Sequence, residues 1–159
     1  MTSGNIDREA QVTPEELFSI AGTLAMTGWA ILVFAPRRWA WLNAIPLLVL
    51  PALLSALYAA LVLQHFGAAG GGYGSLAEVR QLLSGDWLLL AGWVHYLAFD
   101  LFAGAWMAAR MDKVGMNRLL QVPILLSILY FGPAGFLFGL FATGALRLPR
   151  FARSRHAAV

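Results

Sequence analysis

Four apolar stretches, each about as long as a bilayer is thick, constrain this chain more than anything else in it: Leu17–Ala35, Leu42–Gln64, Trp87–Ala109 and Leu119–Leu146. Crossing a hydrocarbon core of roughly 30 Å takes about 20 helical residues. Lipid offers the backbone no hydrogen bonds, so a stretch that crosses it is expected to be helical throughout. Of the 159 residues 60% are hydrophobic and 12% charged, where a soluble domain carries about 25% charged. The mean hydropathy is +0.70. That balance excludes a soluble globular domain and a disordered chain, and the lack of cysteine excludes a disulfide-built secreted module.

The expected fold is an all-α integral membrane protein with four transmembrane helices in an antiparallel bundle. Residues 17–146 form that domain, between a polar leader (1–16) and a basic tail (147–159). Thr13 reads as an N-cap, Pro14 as the first helical residue, and Glu15 and Glu16 as complements to the helix dipole. The first stretch is too long for a signal-peptide core. It ends in Phe34-Ala35-Pro36-Arg37-Arg38, which is no small-x-small cleavage site, so it is expected to be retained. Between the second and third stretches, Gly67–Gly74 reads as a flexible loop. Ser75–Ser84 reads as a short amphipathic interfacial helix with Leu76, Val79, Leu82 and Leu83 on one side. The Gly70–Gly74 run matches no phosphate-binding fingerprint and follows no strand.

Four crossings put both termini on one side, where the Lys and Arg count is six against five on the other. The tail cluster of Arg147, Arg150, Arg153 and Arg155 assigns that side to the cytoplasm. The same cluster accounts for a pI near 9.8 and reads as a contact with anionic lipid rather than nucleic acid.

Ionisable groups cost roughly 2.5–3.5 kcal/mol each at mid-membrane and seldom face lipid. Only His95 and Asp100 lie well inside a stretch, both in the third. At about 100° per residue they flank one arc of the helix, with Gly92 and Ala103 between them and Tyr96, Phe99 and Trp106 as walls. That arc is expected to face inward. The opposite arc, Leu90, Val94, Leu97, Ala98, Leu101, Ala105 and Ala108, is plainly aliphatic and suits lipid. Small residues among bulky aromatics leave room for a neighbouring helix or for a flat apolar ligand, and the pattern does not choose between them. A carboxyl removed from water favours its neutral form and could then donate a proton. Equally, a histidine here can simply bridge two helices, and Tyr96 can satisfy Asp100 four residues on.

In the second stretch Asn43, Pro51, Ser55, Tyr58 and His65 share about a third of the helix circumference. In the fourth, Ser127 and Tyr130 precede Gly132-Pro133-Ala134-Gly135. Pro133 is expected to kink the helix and free the Leu129 carbonyl, which a cavity or partner must satisfy. Tyr58, Asn43, Tyr130 and Pro133 therefore join the candidate ligand contacts. Ser19, Thr23, Thr27, Gly135 and Gly139 read as small-residue packing faces. His65, His95 and His156 are too scattered for a metal site, and no residue set calls for a cofactor.

The motif Trp93-x-His95-x-x-x-x-Asp100-Leu101-Phe102, followed by Gly132-Pro133-Ala134-Gly135, resembles the small membrane-protein family of the plant abscisic-acid-deficient type. The resemblance covers roughly Leu17–Leu146. It implies a four-span protein linked to carotenoids, since plant members are needed for neoxanthin formation, in which an epoxide opens and an allene forms. By that analogy Asp100 would be the acid, His95 the base, and the aromatic walls would grip the polyene. The leader is neither serine-rich nor poor in acids, unlike a transit peptide, which points to a bacterial inner membrane. Three functions follow as expectations. The first is a membrane isomerase for an epoxy-carotenoid or other isoprenoid. The second is a non-catalytic binder or scaffold for a carotenoid, a quinone or a partner enzyme, and the third a small transporter.

Overall fold

The computed structural model describes residues 12–156, with side chains to Leu146. Most of the expected leader and the side chains of the basic tail lie outside the described residues.

Helix α1 (Pro14–Phe34) starts as its sequence dictates. Thr13 Oγ1 accepts from the Glu16 N–H at 3.2 Å, and Glu16 Oε2 accepts from the Thr13 N–H at 2.9 Å, so two orphan donors are satisfied reciprocally. The second apolar stretch is a compound helix. It comprises α2 (Ala40–Ala44), a π-helical turn (Ile45–Val49), α3 (Leu50–His65) and a 3₁₀ turn (Phe66–Ala68). Pro46 and Pro51 remove backbone donors here, and the Leu50 N–H reaches back to Ile45, one residue further than in an α-helix. After α4 (Leu76–Leu82) come α5 (Asp86–Lys113), α6 (Arg118–Phe131) and α7 (Pro133–His156). No strand occurs among the described residues. The expected interfacial helix is α4, capped by Ser75. Leu82 is its one buried residue and Leu76 stands 75% exposed.

Three helical segments are long and apolar enough to cross a membrane: Pro14–Phe34, Ala40–Ala68 and Asp86–Lys113. The fourth stretch corrects the expectation of a fourth spanning helix. It is a hairpin of α6, 14 residues long, and α7. Gly139 packs on the Ile124 side chain, though a continuous helix would hold the two about 22 Å apart. Two local features make the reversal possible. Gly132 adopts φ 49°, a backbone region that side-chain-bearing residues avoid, and Pro133 brings no N–H to continue the ladder. Gly135 then sits directly against the backbone of Ser127. The packing roles expected of Gly135 and Gly139 are those observed.

Helix α5 is the axis of the molecule. It runs parallel to α1, with Phe18 stacked on Trp93 near the start of both and Trp29 against Gly104 further along. It runs antiparallel to α3, with His65 stacked on Trp87 and Tyr58 beside His95. The buried face of α5 includes Leu90, Val94, Ala98, Leu101, Ala105 and Ala108, the arc expected to face lipid, together with Leu88 and Met107. For that aliphatic arc, and for the exposed Gly92, His95 and Phe99, the inward and outward assignments of the wheel are reversed. The reason is size: Ala and Gly let α1 and α3 approach closely, and between apolar helices that closeness outweighs hydrophobicity, which lipid supplies equally well. Ser19, Thr23 and Thr27 are corrected likewise. All three are exposed, and each hydroxyl donates to the carbonyl four residues back at 2.8–3.0 Å. The packing face of α1 is Ala21, Ala25, Gly28, Trp29 and Leu32.

A polar cluster ties together the end of the bundle where α1 and α5 finish. Arg37 Nε pairs with Asp112 Oδ2 at 3.2 Å, and Gln121, 1% exposed, donates to Asp112 Oδ1 at 2.8 Å. Arg118 donates to the carbonyls of Val33 (2.6 Å) and Ala35 (2.7 Å), closing the C-terminus of α1. Burial pushes the Arg37 guanidinium below its usual range; Asp112 opposes that push and Arg118 adds to it. Asp112→Ala would strand this cation and one Gln121 donor. The pair is partly exposed, so the expected loss is about 2 kcal/mol, below that of a fully buried pair. In thermal unfolding of the detergent-purified protein that is a midpoint lower by roughly 5 °C.

Candidate functional site

The outward face of α5 divides into two halves. From Ala103 to Arg110 the hairpin covers it. Trp106 packs on Phe136 with ring centroids 5.5 Å apart, and Arg110 Nε donates to Thr143 Oγ1 at 2.9 Å. Nearer the start of α5, Gly92, Trp93, His95 and Phe99 stand exposed. The hairpin stops at the level of Asp100. A Cβ placed on Gly132 would lie 3.2 Å from both carboxyl oxygens.

This leaves a notch beneath the hairpin tip. Its roof is Asp100, Tyr96 and the Gly132 turn. The Tyr96 hydroxyl donates to the Leu129 carbonyl at 3.3 Å, the group that Pro133 was expected to free. Asp100 Oδ2 is buried and has no hydrogen-bond partner among the described residues. One flank is the aromatic run Phe18–Trp93–Tyr96, with centroid spacings of 5.7 and 5.4 Å. The other is Phe99–His95–Tyr58, at 4.7 and 5.3 Å. Each flank borders an open groove. A groove of about 470 Å³ between α1 and α5 is lined by Phe18, Leu89, Leu90 and Trp93, with Glu15 and Asp86 also on its wall. A cleft of about 290 Å³ between α3 and α5 is lined by Pro51, Ser55, Phe99 and Phe102 among others.

The candidate residues thus separate. Asp100 and Tyr96 meet at the roof, and His95, Phe99 and Tyr58 meet on one flank. Tyr130 and Pro133 stand exposed at the hairpin tip, and Gly92 lies on the open face near Leu83. Ala103 is half-buried at the boundary between the halves, and Trp106 lies under α7 beside Arg110. Asn43 is elsewhere. Its side chain accepts from Arg37 Nη1 at 3.0 Å and donates to the Trp39 carbonyl at 2.7 Å, in the polar cluster at the bundle end. That places it as a clamp on the first connection rather than a ligand contact. It sits eight residues before Pro51, and the π-helical turn between them breaks the α-helical register on which the wheel relied. The sequence reading missed Trp93 and Phe18 as walls, although the Trp93–Tyr96 spacing of one helical turn was available.

Chemically, this corner offers a carboxyl with one buried, unpartnered oxygen beside a phenol, with aromatic side chains on both flanks. A proton donor so placed can serve an oxygen carried on an apolar ligand. Tyr96→Phe would leave the Leu129 carbonyl unsatisfied. The expected destabilisation is about 1–2 kcal/mol, read as a lower thermal midpoint in detergent.

A family model described as ABA DEFICIENT 4-like matches residues 16–138, from the first turn of α1 into α7. No curated protein and no solved structure matches the chain.

Proposed function

Because the chain belongs to the ABA DEFICIENT 4-like family, a family linked to carotenoid metabolism, we propose that the notch under the hairpin holds one end of a membrane-dissolved epoxy-carotenoid-like polyene and isomerises it. The observation that carries this reading is the buried Asp100 Oδ2 without a partner. A polar atom left unsatisfied in an apolar site costs stability and is explained by a ligand atom that completes it. In the proposed step Asp100 gives its proton to the epoxide oxygen and the ring C–O bond breaks. A base removes a proton from the adjacent chain carbon, and that electron pair forms the new cumulated double bond. His95 is the available base, on the same open side of α5. Five residues of helix place the two Cβ atoms about 10 Å apart, which a ligand end ring and two hydrogen bonds can bridge. Return of the proton from His95 to Asp100 restores the starting state, so substrate and product share one composition.

Pigment chromatography tests this in a host that makes epoxy-carotenoids, on both the membrane extract and the detergent-purified protein. A new isomer that depends on Asp100 is expected. Neither bound pigment nor product would overturn the reading. One observation favours a second reading, a non-catalytic holder of a polyene or of a partner enzyme's ligand: His95 packs with Phe99 and Tyr58 rather than with Asp100. Pigment bound without conversion in the same experiment would select it.

A further inference from the structure

We propose that α6 and α7 form a re-entrant hairpin that enters and leaves the membrane on one side. The chain then crosses three times, and its basic end faces the anionic cytoplasmic leaflet. Three observations on geometry carry the argument. First, α6 has 14 residues, about 21 Å of helix against a hydrocarbon core of roughly 30 Å. Second, its tip lies beside Asp100, midway along the 28 residues of α5. Third, α7 runs back toward the end from which α6 came. Gly139 passes Met107 and Ile124, and Thr143 reaches Arg110. Arg118, at the start of α6, is bonded to the end of α1, so both arms open at the end where α1 and α5 finish.

Non-helical backbone at membrane depth is tolerated only where protein covers it. The turn meets that condition, since Gly132 is buried and Tyr96 holds the Leu129 carbonyl.

An independent check comes from charge. With four crossings the Lys and Arg residues split six to five, and only the tail cluster distinguishes the two sides. With the hairpin, the first connection, the third connection and the tail share one side. They contribute two, three and four cations, nine of the eleven in the chain, and leave only Arg8 and Arg80 opposite. Six of the eight acidic residues lie with Arg8 and Arg80. An excess of Lys and Arg in short connections marks the cytoplasmic side, and near the surface each contributes about 1 kcal/mol of attraction to anionic lipid. The termini are thereby placed on opposite sides, the C-terminus in the cytoplasm.

The chain has no cysteine, so single-cysteine variants of the full-length protein report sidedness directly. Ala40→Cys, Ala77→Cys and Ser154→Cys would be labelled with a membrane-impermeant maleimide in intact cells and in inverted vesicles. Ser154→Cys is expected to label together with Ala40→Cys in inverted vesicles, and Ala77→Cys only in intact cells. Labelling of Ser154→Cys together with Ala77→Cys would establish four crossings and overturn the proposal. Should a variant fail to accumulate, a C-terminal reporter that fluoresces only in the cytoplasm reads the same point on the unmutated chain. Fluorescence is expected, and its absence together with activity of an external phosphatase fusion would overturn the proposal.

Discussion

Asp100→Asn is expected to lower isomer formation by at least ~100-fold, the typical contribution of a positioned proton donor, while leaving the thermal midpoint unchanged. The two effects separate because of what Asp100 does and does not touch. The amide matches the carboxyl in size but cannot deliver a proton to an ether oxygen. The fold loses no hydrogen bond that Oδ2 was making, since it has no partner among the described residues. Pigment chromatography read beside thermal unfolding in detergent distinguishes the outcomes. Conversion lost at constant stability supports the acid role. Loss of both would mean that Asp100 holds the hairpin rather than a ligand. Asp100→Glu pushes an extra methylene toward the Gly132 turn, where the fit is close enough that a Cβ built on Gly132 would lie 3.2 Å from the carboxyl oxygens, and is expected to lower both.

Gly135→Val is expected to act through the fold instead, collapsing the hairpin while the α1–α3–α5 unit persists. Even a methyl here overlaps the backbone of Ser127 and Ile128, and valine adds two more carbons. Backbone cannot rotate aside as a side-chain tip can, so the arms must part. Overpacking costs typically 1–3 kcal/mol and occasionally more; here about 3 kcal/mol or above is expected, a midpoint lower by roughly 10 °C. Parting the arms also withdraws Gly132 and Leu129 from Asp100 and Tyr96, so retained pigment is expected to fall with the fold. Two glycines calibrate the measurement. At Gly139 the nearest atoms are the ends of Met107 and Ile124, 2.8–3.0 Å from a built Cβ, so Gly139→Ala is expected to cost about 1 kcal/mol. Gly22 has nothing within 4 Å, and Gly22→Ala is expected to leave the midpoint in place. Equal losses at all three positions would show that glycine flexibility, and not the close crossing, is what matters.

Much of what depends on one segment and its immediate neighbours was legible in the sequence. The lengths of the first three apolar stretches, the Thr13–Glu16 cap and the reading of the glycine run as a loop all rest on local chemistry. So does the need of the Leu129 carbonyl for a partner, which follows from the missing N–H of Pro133; the partner turned out to be Tyr96. Asp100 was visible as an anomaly because a carboxylate inside an apolar helix is costly wherever the helix lies. Direction, by contrast, came from the packing of segments far apart in the chain. A wheel divides α5 into an aromatic, polar arc and a small aliphatic one, but between apolar helices and lipid hydrophobicity carries no sign, so the buried arc is the one that allows the closest approach. Likewise Gly132-Pro133 announces a break without its angle. Whether the chain continues across or folds back depends on Gly135 finding the backbone of Ser127 and on Gly139 finding Met107 and Ile124. Those contacts join residues far apart in sequence, and no local propensity encodes them.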